Sequence, residues 1–208
     1  MSLRNIIELN NEAVSLLACQ QFRAAIRLTT SAMQHQLQVL TGSAQQRSTH
    51  THTAIDGCMM MSDRIPSVGA SDDTFVYQNG ILLPSNITDI SVILPILLFN
   101  AALAQQLFSA SSSDGQSMSQ PALPRARRLY QLALSDHCDC CNPAFRVAVY
   151  NNVGVICRQI GGEEGEALFD YLEAFALYLV AAGRVHHIQK VNGFWANIRP
   201  SNRQAPAA

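Results

Sequence analysis

The densest group of metal- and redox-capable side chains in this chain is His137-Cys138-Asp139-Cys140-Cys141. Imidazole and thiolate are the donors tetrahedral zinc prefers, and a thiol beside a histidine is placed for easier ionisation and oxidation. Zinc sites of this donor set come as two separated pairs, so that the chain can wrap the ion. Here the adjacent Cys140 and Cys141 point different ways, and Cys58, Cys157 or His50 with His52 would have to complete the shell through folding. His137, Cys138, Cys140 and Cys141 are therefore the metal candidates, and a metal-binding or redox-responsive regulator is the alternative reading of the chain. The simpler reading is a turn between helices with incidental thiols, and no cofactor is expected.

Other reactive groups are sparse. His186-His187 would titrate near neutral pH, though two neighbouring histidines also suit an ordinary surface, and Lys190, the only lysine, has no acidic neighbours in sequence. Arg125, Arg127 and Arg128 open a helical pattern, at the end where the helix dipole disfavours cations, so contact with a partner competes there with a solvated face. Glu163, Glu164 and Glu166 open another, where the dipole favours them. No glycine-rich phosphate loop follows a strand, and neither a nucleophile elbow nor a His-Glu-x-x-His pattern occurs. The expectation is a protein that is not an enzyme.

The elements that must position these groups are helical. Of 208 residues, 48% are hydrophobic and only 14% charged, against roughly 25% in ordinary soluble domains, with a formal net charge of −1. That balance supplies a core and lacks the electrostatic footprint of a nucleic-acid or anionic-membrane binder. Residues 1–10 contain Arg4 and Glu8 and lack the apolar run of a secretory signal, which makes an intracellular, reduced chain with six cysteines the expectation, and leaves the sequon at Asn86 without a glycan. The most apolar stretch, residues 92–104, is interrupted by Pro95 and Asn100 and falls short of the about 20 residues a membrane span requires.

One spacing recurs. Ala25/Thr29/Ala32, Ala126/Tyr130/Ala133 and Ala167/Tyr171/Ala174 each place three side chains four and then three residues apart, hence on one helix face where small residues admit a neighbouring helix. Upstream of each lies an asparagine followed two residues later by a small residue: Asn11/Ala13, Asn100/Ala102 and Asn152/Gly154. Three helical hairpins are predicted, in residues 1–40, 91–136 and 142–183. The first turns on Cys19, Gln20 and Gln21 alone, the second is interrupted by a polar loop at 109–122, and the third opens on Asn142-Pro143, breaks at Gly161-Gly162 and ends at Gly183. Between the first two lies an insertion at 41–90, polar and disordered over 41–73. Near 74–83 it reads as a small β-hairpin, Thr74 to Gln78 and Ile81 to Leu83 flanking the turn-forming Asn79-Gly80. Residues 184–198 suit a segment capping the end of the stack, and 199–208 a disordered tail.

In both halves of each hairpin the chain resembles the tetratricopeptide repeat family, over about residues 3–36, 91–134 and 143–182. It departs from the family pattern in having no early tryptophan, no closing proline, Thr29 where an aromatic is usual, and one extra residue between the helices of the third unit. The resemblance implies an all-α fold, antiparallel hairpins stacked in a right-handed superhelix, and a concave groove lined by first helices. It also implies that Asn11, Asn100 and Asn152 face that groove and hydrogen-bond the backbone of a bound peptide, a task suited to amides, which donate and accept at once. Members that clamp acidic chaperone tails pair such asparagines with cations. Here the matching positions hold Ile7, Ala148 and Asn152, so that ligand is not expected. The function implied is a scaffold or adaptor binding a protein or peptide partner, with self-association as a further way for a stack of only three units to complete itself.

Overall fold

The computed structural model describes residues 2–42, 76–87, 90–111, 122–134, 142–189 and 192–198. The polar stretch 41–73, most of the loop 109–122, the cluster His137, Cys138, Cys140 and Cys141, Lys190 and the tail from 199 fall wholly or largely outside the described residues.

The fold is all-α. Six principal helices run in order: α1 (Leu3–Ala18), α2 (Phe22–Gly42), α3 (Ile90–Ser111), α4 (Ala122–Ala133), α5 (Pro143–Gln159) and α6 (Glu164–Ala181). Two short ones follow, α7 (Val185–Gln189) and α8 (Trp195–Ile198), with a 3-10 turn at Asn192–Phe194 between them. Packing is heaviest within the pairs α1/α2, α3/α4 and α5/α6, and each pair also meets the next through α2/α3 and α4/α5. α7, the 3-10 turn and α8 lie on α5 and α6.

Local chemistry explains the boundaries. Asn142 caps α5, its side-chain oxygen accepting from the Ala144 amide at 2.8 Å, with Pro143 at the first helical position. The helix closes in a left-handed Gly161 (φ 81°), whose neighbour Gly162 donates back to the Cys157 carbonyl at 2.9 Å. α1 has no glycine for this purpose, and Gln20 takes the positive φ (58°) instead. α3 starts one residue earlier than its proline suggests, so Pro95 stands beyond the first turn and removes a single backbone bond, the one to the Ser91 carbonyl. The helix continues through it. Consequently the 20 residues Val92–Ser111 are long and apolar enough to cross a membrane, contrary to the length argument from sequence, and 67% of the apolar 18-residue window within them is buried inside the protein.

Two of the three repeated seams are sealed. Ala25, Thr29, Ala32, Ala126, Tyr130 and Ala133 are all buried. Phe99 of α3 joins the second and third pairs, its ring 5.6 Å from Tyr130 and 5.7 Å from Phe145. The third seam is not where the sequence pattern put it. Ala167, Tyr171 and Ala174 face solvent, and the residues of α6 packed against α5 are Gly165, Phe169 and Leu172, the same four-then-three spacing two positions earlier. The cause lies in α5. A Cβ on Gly154 would stand 2.7 Å from the Phe169 ring, and one on Gly165 would stand 3.0 Å from the Gly154 carbonyl oxygen. Paired glycines thus let the two backbones close up around one phenylalanine, a better fit than Tyr171 in that slot. In this register the third unit is one residue shorter than the first between asparagine and seam, not longer.

The β-hairpin is also absent from the described residues. Thr74 and Phe75 lie outside the described residues; residues 76–84 run as a single extended segment that is not part of any strand or helix, and neither Asn79 nor Gly80 adopts the positive φ a tight two-residue turn demands. Gly80 serves close approach instead: a Cβ there would lie 2.8 Å from Val14 of α1.

Candidate functional site

Asn11, Asn100 and Asn152 occupy equivalent places on α1, α3 and α5, two residues before Ala13, Ala102 and Gly154, which the helix packing buries. All three side chains converge on the extended segment. The Asn152 amide oxygen accepts from the Tyr77 N–H at 3.0 Å while its nitrogen donates to the Tyr77 carbonyl at 3.1 Å. Asn100 repeats the pair on Ile81, at 2.8 Å both ways, and Asn11 repeats it on Leu83, again at 2.8 Å both ways. Each asparagine replaces the neighbouring strand that a sheet would provide, satisfying both backbone groups of one residue. The segment therefore crosses the third hairpin first and the first hairpin last, against the order of the repeats.

A second set of amides supports the first. Asn10 donates to the Ile81 carbonyl at 3.0 Å and accepts from Asn100 at 2.8 Å. Asn152 also donates to the Tyr130 hydroxyl at 2.9 Å, which in turn donates to Gln106 at 3.1 Å. Asn151 donates to Asn152 at 3.2 Å and accepts from Asn197 of α8 at 2.6 Å. Asn10, Asn100, Asn151, Asn152 and Gln106 are all buried, so the network depends on its members bonding one another, and the Gln106 amide nitrogen is left buried without a partner among the described residues. Sequence reasoning missed Asn10, Asn151 and Asn197. The doublets Asn10-Asn11 and Asn151-Asn152, at corresponding points of two repeats, were the available signal.

Side chains of the segment alternate in use. Tyr77, Ile81 and Leu83 point inward and are at most 5% exposed, while Leu82 is half exposed. The Tyr77 hydroxyl reaches the backbone of Phe194 in the capping turn, and burial holds that phenol far above its usual pKa, as it does Tyr130. Seven hydrogen bonds join the segment's backbone to the groove asparagines, each worth about 0.5–1.5 kcal/mol net. The three inward side chains add about 1.5–3 kcal/mol each, and ordering the backbone costs about 1–2 kcal/mol per residue over residues 77–83. A pocket of about 190 Å³ opens between α1 and the segment, lined by Val14, Ala18, Gln78, Asn79, Gly80 and Leu82.

No protein-family model matches this chain, and no curated protein or solved structure matches it either. The site must be read from its own geometry.

The remaining candidates separate as follows. Arg127 pairs with Glu164, and Arg158 makes a two-point contact with Glu166 at 2.7 and 3.1 Å, so these charges tie the third hairpin together and to α4. Arg158 also lies 3.9 Å above the Phe169 ring. The His186 and His187 rings lie 4.0 Å apart, tilted by 41°, with His187 buried in α7. No group of three metal-capable side chains occurs among the described residues. Cys157 is buried and its thiol is pushed up by desolvation, the condition of an inert structural thiol.

Proposed function

We propose that this chain is a non-enzymatic interaction module of tetratricopeptide type, its three hairpins stacked right-handedly, whose concave groove holds an extended protein segment by its backbone. The single observation behind this reading is the threefold asparagine grip. Three equivalent first-helix residues each bind the N–H and the carbonyl of one extended residue, which is the main-chain recognition that gives affinity in strand-addition modes generally. Specificity then falls to the inward pockets that hold Tyr77, Ile81 and Leu83.

Selection from a displayed library of random peptides tests it. The protein with residues 76–84 replaced by a glycine-serine linker should enrich extended apolar sequences, and the same protein carrying Asn100→Ala should lose the enrichment. Failure of the linker variant to enrich any peptide while retaining its helical spectrum would remove the groove from consideration as a ligand site.

A further inference from the structure

Resting on the groove reading above, we infer that the ligand class is an uncharged extended segment of the form aromatic-x-x-Gly-aliphatic-x-aliphatic, that residues 77–83 are the resident copy of it, and that a segment of the same form on another chain exchanges with them.

The form follows from what each position meets. The first position must carry a phenol or its like, because the slot is deep enough to bury Tyr77 and ends on the backbone of Phe194, where the hydroxyl finds its partner. The fourth must be glycine, because Val14 and Leu17 of α1 would stand 2.8 and 3.2 Å from any Cβ. The fifth and seventh are aliphatic, since Ile81 and Leu83 are almost fully enclosed while Leu82 between them is not. The sixth is free in type, Leu82 standing half in solvent, and the second and third carry the partly exposed Gln78 and Asn79, on which the form sets no type. Charge is excluded at the inward positions, because the groove there offers asparagines and apolar walls, and a buried charge needs a partner.

Exchange follows from how the segment is held. Both backbone groups of Tyr77, Ile81 and Leu83 bond to side chains of the groove, so a second peptide can make the identical set. The segment belongs to no helix and its seven backbone bonds to the groove end on side chains, which places it among the parts of a protein that open locally rather than only with the whole fold. Loss of the cis copy exposes asparagines 10, 100 and 152, which are otherwise sealed, and an incoming strand of the same form restores them at once.

The test uses a fluorescent peptide with the sequence of residues 76–85 and the full-length protein in two forms: intact, and with residues 76–84 replaced by a glycine-serine linker. Anisotropy should show saturable binding to the linker form and binding at least roughly tenfold weaker to the intact form, where the resident copy competes. A peptide with Gly80→Val should lose roughly tenfold or more, as overpacking of a closed site does, and so should one with Ile81→Ser. A linker form that stays helical and enriches other library peptides but ignores this one would overturn the inference and leave the groove reading standing. A helical linker form that takes no peptide of any kind would end both. Should the linker form unfold, hydrogen exchange on the intact protein decides: amides of Tyr77, Ile81 and Leu83 that exchange well before the α3 core, with uptake of the peptide, support exchange in trans. Amides that exchange only with global unfolding show the segment to be permanent core and overturn it.

Discussion

α4 and α6 carry the same spelling, alanine, then tyrosine four residues on, then alanine three further, and they use it in opposite ways. In α4 the stripe Ala126, Tyr130, Ala133 is closed completely, with the tyrosine hydroxyl built into the asparagine network. In α6 the stripe Ala167, Tyr171, Ala174 faces outward, with Tyr171 42% exposed and Tyr178 on the same face 63% exposed. Tyr171 packs sideways against Tyr150 and Phe175 at 5.0 and 6.0 Å rather than under a helix. A seam is therefore a property of two surfaces. Small residues at helical spacing permit close approach, and what the opposite helix offers decides which stripe is taken; α5 offers Gly154, and Phe169 fills the space it leaves.

The contrast can be broken most severely at its two tyrosines. Tyr130→Ala should cost about 3–5 kcal/mol of folding stability, as large-to-small core changes do, whereas Tyr171→Ala should cost under about 1 kcal/mol; urea denaturation of both variants checks it, and equal losses would mean the outer stripe is covered. Next in size, Gly154→Ala should cost about 1–3 kcal/mol because the new methyl meets the Phe169 ring, while Ala174→Ser should stay within about 0.5 kcal/mol, read from the same denaturation curves. Arg127→Ala should cost only about 0.2–1 kcal/mol, since its partner Glu164 is largely in solvent, and the difference from the parent protein should shrink as salt rises.

The smallest contrast is nil at neutral pH. Burial raises the Tyr77 and Tyr130 pKa values above the ordinary 10.0, so the native state keeps protons that the unfolded chain releases. Their stabilising contribution is whole below pH 10 and declines as pH climbs past it, because the unfolded state then binds fewer protons than the native one. Melting temperatures followed from pH 8 to 11 should be flat at first and then fall, with a shallower fall in Tyr77→Phe.

The hairpins and their caps were legible in the sequence because their causes are local. Asn142-Pro143, Gly161-Gly162 and Gly183 each do at their own position what their chemistry predicts. Asn11, Asn100 and Asn152 were legible as a set because the same residue type recurs at one place in each repeat. What lay across space was not legible. The two-residue shift of the α6 register depends on a glycine eleven positions before the seam as packed, and Asn79-Gly80, which reads locally as a hairpin turn, is drawn straight by amides far away in the chain, Asn11 lying 72 residues from the Leu83 it holds. Pattern gave the candidates for burial, and the partner chose among them.

One consequence of the crossing segment concerns cooperativity. Linear repeat arrays melt from their ends, each unit leaning only on its neighbours. Here a stretch of seven residues is pinned at one end to the last hairpin, at the other to the first, and midway to the second. While the segment stays seated, fraying at either terminus therefore tugs on all three units together, so the short stack behaves as a closed loop until the segment opens and as a row afterwards.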